Sequence, residues 1–222
     1  MKSINSFLRK IRFQKRQKYY QRTVKNVDST VSLISSNCWG GFLYHDMGLQ
    51  FLTPTINLTF DPDDYLFFCE NLRSLKTAIL TEDKSNERGY IVGILFYPDL
   101  KKQIKVHFVH YKTFQEAKDA FKRRSMRINF NNYIFLFNIF HLKKDIADRF
   151  RCIPGRKICV YVHSDDDCND LCDDSCLYFK LDSKIPRNKD MLSFKTPLGR
   201  KMYIDDIKFS FHKYIFSKTN SK

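Results

Sequence analysis

Three stretches of the chain carry apolar or β-branched side chains almost without interruption: residues 30–35 (TVSLIS), 133–140 (YIFLFNIF) and 157–162 (KICVYV). A strand with one wet face alternates apolar and polar residues, whereas an unbroken run belongs to a strand covered on both sides. Segments with helical spacing lie between them. Asp61 is a natural N-cap ahead of Pro62, and Asp63 and Asp64 complement the positive end of a helix dipole, so a helix is expected over 62–80. Its inward face is Tyr65, Phe68, Cys69, Leu72, Leu75 and Ile79. Thr113 and Glu116 form a capping box opening a second helix, with Phe114, Ala117 and Phe121 inward. A short helix is expected over 143–151, and 203–216 is assigned to helix rather than strand. Strand-like stretches at 90–97, 104–110 and 176–181 complete the pattern. Such alternation defines an α/β fold: a largely parallel or mixed sheet flanked by helices, headed by a basic N-terminal helix.

Charge is concentrated at one end. Of 39 Lys+Arg in 222 residues, nine lie in residues 1–27, which contain no acid. The remainder holds 30 Lys+Arg against 24 Asp+Glu, a net of +6 that is ordinary for a globular domain. No specific nucleic-acid partner is therefore expected. The chain divides into a basic amphipathic arm, 1–27, and a single α/β domain, 28–222. In the arm, Ile4, Phe7, Leu8 and Ile11 recur at helical spacing, with Lys and Arg around the other face. Three roles fit it: packing on its own domain, contacting nucleic acid, or lying on an anionic membrane, where each basic residue contributes about 1 kcal/mol. Arg9, Lys10 and Arg12 interrupt any signal-peptide core, and no apolar run is long enough to span a bilayer. A cytoplasmic protein with seven reduced Cys is expected, with peripheral contact at the inner membrane face through the arm.

Three constellations carry chemistry. The first is Ser36-Asn37-Cys38-Trp39-Gly40-Gly41, expected to be a glycine loop at a strand end. A thiol there, beside amides turned toward an anion, is in a setting that lowers its pKa and suits an oxyanion hole. A buried structural Cys38 and a core-filling Trp39 account for the same residues. The second is His107-Phe108-Val109-His110-Tyr111, in which His110 and Tyr111 fall at a strand end where a general base sits. The third is Lys122-Arg123-Arg124-Ser125-Met126-Arg127, whose Arg124 and Arg127 are helical neighbours able to present planar forks to phosphate. A solvated basic face explains that segment equally.

Other signals are weaker. Asp61-Pro62-Asp63 and Asp165-Asp166-Asp167 match the Asp-x-Asp pattern that holds a metal in nucleotide-sugar transferases, but capping explains the first and an acidic loop the second. Cys168, Cys172 and Cys176 would share one helical face and, with His163, offer four zinc ligands; the spacing is not that of a common zinc module. No metal is assigned and no cofactor is indicated.

Taken in order, the stretch from Ile34 through Asn37-Cys38-Trp39-Gly40-Gly41 to Tyr44, then Phe51-Leu-Thr-Pro54-Thr-Ile-Asn57, Asp64-Tyr65, His107–Tyr111, Glu116-Ala117 and Arg124-Ser-Met-Arg127-Ile-Asn129 resembles the bacterial domain of unknown function 1919. The likeness covers about residues 28–215. The family often has a second Asn where this chain has Ser36, and a Trp near Phe121. Its members are commonly labelled exopolysaccharide or capsule biosynthesis proteins. The resemblance implies a surface-polysaccharide enzyme, a transferase taking a sugar donor or lipid-linked glycan. The alternative is a non-catalytic binding subunit of the assembly machinery. Cys38 and His110 are the expected catalytic pair. Substrate contacts are expected from Asn37, Trp39, Gly40, Gly41, Tyr44, Asn57, Tyr111, Arg124, Arg127 and Asn129.

Overall fold

The computed structural model describes residues 2–165, 175–182, 184–186, 189–196 and 201–218, the side chains of residues 2–6 and 9 excepted. In chain order the elements are α1 (Lys2–Thr23), β1 (Ser32–Ser35), α2 (Trp39–Met47), α3 (Pro62–Glu70), β2 (Ile79–Glu82), β3 (Ile91–Tyr97), β4 (Lys102–Phe108), α4 (Phe114–Ser125), β5 (Tyr133–Leu142), α5 (Lys144–Cys152), β6 (Arg156–Ser164), β7 (Cys176–Lys180) and α6 (Phe211–Phe216). The unbroken apolar runs become β1, β5 and β6, which with β7 form a parallel sheet in the order β1-β5-β6-β7. Ser35 pairs with Leu136, Leu136 with Ile158, and Ile158 with Leu177.

Both faces of this sheet are covered, and the side chains divide between them by strict alternation. Ile34, Phe135, Phe137, Cys159 and Tyr161 point to one side, where α3 and α5 pack through Tyr65, Phe68, Ala147 and Phe150. Leu33, Ile134, Leu136, Ile158 and Val160 point to the other, against Trp39, Leu43 and Tyr44 of α2 and Ile215 and Phe216 of α6. The glycines of the 36–41 segment are not a loop: they lie in α2, which begins at Trp39. Gly40 permits close approach of helix to strand, because a Cβ there would lie 3.2 Å from the Cβ of Ser35 and 3.4 Å from that of Leu33.

The stretches at 90–97 and 104–110 form a separate antiparallel sheet, β2-β3-β4, with Ile91 opposite Phe108 and Tyr97 opposite Lys102. The helix expected over 62–80 is shorter. It ends at Glu70, and a 3₁₀ turn over Leu72–Lys76 leads into β2. Asn71 closes α3 by donating its side-chain amide to the Phe67 carbonyl at 2.9 Å. Leu80, not Ile79, faces the core, and Ile79 is 52% exposed. Asp61 occupies the cap position but makes no side-chain cap bond. Instead it meets His107 Nε2 at 3.2 Å. Thr113 does cap α4, accepting from the Glu116 amide at 3.2 Å.

Helix α3 joins the two sheets. Tyr65 Oη lies 2.7 Å from the Ile34 carbonyl and 3.0 Å from that of Leu136, while Phe67 meets Tyr97 edge to face. The carboxylate of Asp64 accepts from the Lys105 amide of β4 at 2.9 Å. At the other end of the fold, the C-terminal half of α1 is bound into the body. Arg16 shares its Nε–H between the two carboxylate oxygens of Asp46 of α2 (2.8 and 2.9 Å) and makes a bidentate pair with Asp205 through its two terminal nitrogens (2.9 and 3.0 Å). His212 of α6 meets the same Asp46 carboxylate at 2.9 Å, and Tyr20 stacks on its ring. Among the described residues, no helix is long and apolar enough to cross a membrane.

Candidate functional site

Open parallel sheets build sites beyond the carboxyl ends of their strands. Here β1 ends at Ser35, and the Ser36–Cys38 turn carries the chain into α2. The first amides of that helix already have internal partners. Trp39 N–H donates to Asn37 Oδ1 at 3.0 Å, and Gly40 N–H to Ser35 Oγ at 3.3 Å. Asn37 thus serves the turn itself.

Segment 51–60 runs beside β1. Thr55 Oγ1 accepts from Ser35 N–H at 2.9 Å, and Phe60 N–H donates to the Ser36 carbonyl at 3.0 Å. Asn57 sits in this segment with φ +63°, a conformation that Asn tolerates better than most residues. Its side chain is exposed. The Cys38 thiol lies against the segment, 3.9 Å from the Leu58 carbonyl. Burial and the charge of Asp190 push this thiol up to about 11, with the Asn57 and Leu58 amides pulling the other way. It is a protonated thiol at neutral pH. Among the described residues no hydrogen bond joins Cys38 to His110, which lies beyond the end of β4 and is exposed.

Tyr111 connects the thiol to the basic helix. Its hydroxyl donates to the Ile56 carbonyl at 3.2 Å and accepts from Arg124 Nη1 at 2.7 Å. Burial raises the phenol's pKa, opposed by Arg124 and Arg123, while Cys38 is near enough to add a small raising effect. The Arg124 guanidinium lies over the Phe51 ring, 5.4 Å from its centroid. No ion pair of Arg124 with a carboxylate is found among the described residues. Cys38, Asn57, Tyr111 and Arg124 therefore come together along the outer edge of β1, with Phe51 as an added floor.

Several expected residues lie elsewhere. Trp39 is 2% exposed and meets Phe211 edge to face; Tyr44 is fully buried, its hydroxyl donating to the Val31 carbonyl at 2.7 Å. Gly40 and Gly41 are buried where α2 meets β1 and Ile56. Asn129 is at the opposite end of β1: its amide N–H donates to Ser32 Oγ at 2.8 Å, and its side chain donates to the Thr30 carbonyl at 3.0 Å. Arg127 follows α4, its amide closing a turn onto the Arg124 carbonyl. Asp166, Asp167, Cys168 and Cys172 lie outside the described residues. Cys176 opens β7 and is buried, so it does not extend a helical face from them.

One residue of the carboxyl edge escaped the motif reading. Asn138 interrupts the apolar run of β5, and both side-chain polar atoms are buried without a partner among the described residues. Its backbone N–H donates to Ser36 Oγ at 2.9 Å, which fixes it beside the β1–α2 turn. A lone amide in an otherwise apolar strand was the available signal.

The comparisons with known proteins now bear on this arrangement. The family described as a domain of unknown function, DUF1919, matches residues 8–214. The chain belongs to that family. An uncharacterized protein of Haemophilus influenzae is 30% identical over 155 residues, covering 67% of this chain and 71% of its own. The DUF1919 match includes Arg16 of α1, so the helix that reaches Asp46 and Asp205 lies largely within the family domain.

Proposed function

We propose that this DUF1919 chain is a transferase of surface-polysaccharide biosynthesis, acting at the cytoplasmic side of the membrane on a phosphorylated sugar donor or lipid-linked glycan. One observation carries the reading: Arg124 is held by Tyr111 and Phe51 through one nitrogen and one face, leaving the rest of its donor fork for a phosphate. Asn138 of β5, its amide buried beside the β1–α2 turn, adds a polar group next to this edge. The link to surface glycan comes from the family resemblance. In this reading the arm, rich in Lys and Arg, brings the enzyme to anionic lipid, and His110, next to Tyr111, is the base.

The state of Cys38 favours a second reading. A thiol raised to about 11 is a poor nucleophile at neutral pH, which suits a subunit that binds glycan without turning it over. Titration of the full chain and of Arg124→Gln with uridine and guanosine diphosphate sugars, in the presence of a lipid-linked glycan fraction as sugar acceptor and with phosphorus NMR to follow nucleotide release, separates the two. The transferase reading predicts release, with KM raised about tenfold in the variant, the equivalent of one charge-assisted contact. Binding without release supports the subunit. Absence of binding by every phosphorylated sugar defeats both.

A further inference from the structure

On the flank of α4 away from Arg124 lies a groove of about 640 Å³, between that helix, the 3₁₀ turn at Leu72–Lys76 and the edge strand β2. Its floor is apolar, formed by Leu80, Leu95, Phe121 and Phe130. Its volume is that of a small-molecule site. Two large apolar side chains stand at its margin with little cover, Met126 at 75% and Ile79 at 52% exposure.

The charge is of one sign. Among the described residues Lys76, Lys118 and Lys122 line the groove, and no carboxylate does. None of the three makes an ion pair among the described residues. Lys76 and Arg73 lie over the Phe130 ring at 5.5 Å each, so their stems follow apolar surface at that end of the groove, while the Lys118 ammonium lies over Phe114 at the start of α4, at 5.9 Å. Three ammonium groups around one apolar slot match a phosphate dianion attached to a hydrocarbon better than a single carboxylate. We propose that this groove binds one single-chain amphiphile ending in a phosphate, its chain on the Phe121 and Phe130 floor and its head among Lys76, Lys118 and Lys122.

The test is calorimetric titration of the full chain with dodecyl phosphate below its aggregation concentration. Inorganic phosphate, dodecyltrimethylammonium and phosphatidylglycerol vesicles are run alongside. One dodecyl phosphate per chain is expected, binding at least about tenfold more tightly than either soluble control. Lys118→Glu/Lys122→Glu and Met126→Glu should each weaken it about tenfold, while Lys10→Glu/Lys15→Glu on α1 should leave it unchanged. Equal binding of the cationic amphiphile or of inorganic phosphate overturns the proposal, as does loss confined to the α1 variant. Vesicle binding without monomer binding overturns it in favour of a membrane surface. The comparison of amphiphiles on the unaltered chain stands even if a groove variant fails to fold.

Discussion

At the scale of single residues, Asn138 and Cys38 carry the most specific consequences. An unpaired buried amide costs the folded state about 1–3 kcal/mol, and that cost is tolerated where a ligand supplies the missing bonds. Asn138→Leu should therefore raise stability by about 1 kcal/mol, seen as a higher urea midpoint at unchanged slope, while weakening ligand binding. A destabilised variant would show that the amide is structural. For Cys38 the sign follows from its raised pKa. The folded state holds the proton more tightly than the unfolded thiol, which titrates near 9. Stability is thus unaffected below about 9 and falls as pH rises toward about 11. Tyr111 and Tyr44, raised by burial, act in the same direction. Alkylation of Cys38 by iodoacetamide, followed by peptide mass mapping, should be slow at pH 7.5 and accelerate through this range. Rapid modification at neutral pH would restore the nucleophile.

At the scale of elements, patterning specified what sits inside and tertiary contacts decided where elements stop. The runs at 30–35, 133–140 and 157–162 were legible because double-sided burial leaves no polar alternation to confuse. The segment 62–80 was not, because its helical apolar spacing continues past the end of α3. Leu72 and Leu75 remain buried in the 3₁₀ turn, and the chain then straightens to pair Leu80 with Leu95. Pairing along β3 outweighed local helical preference there. The two glycines misled for the opposite reason: their value is close packing of a helix rather than loop freedom. Nothing in local spacing announced the anchoring of α1, since Arg16 meets partners 30 and 189 residues away. Arg16→Ala leaves the buried Asp46 and half-buried Asp205 carboxylates without their guanidinium. A loss of about 2–4 kcal/mol in urea unfolding is expected. A change under about 0.5 kcal/mol would mean that α1 is attached only loosely.

At the scale of the whole molecule, the candidate site depends on pieces that no motif contains together. The motif reading supplied Cys38, Tyr111 and Arg124. The fold supplied Phe51 beneath the guanidinium, Asn138 of β5 beside the β1–α2 turn, and segment 51–60 that holds Cys38 and Tyr111 along β1. It also moved Trp39, Tyr44 and Asn129 out of reach, into the core or to the far end of β1. The most direct measurement is the surface-glycan composition of the native host by mass spectrometry. Three strains are needed: wild type, gene deletion, and Arg124→Gln checked for normal protein level. The account predicts that deletion removes a sugar or substituent and that Arg124→Gln removes the same one. An unchanged glycan in the deletion strain would contradict it.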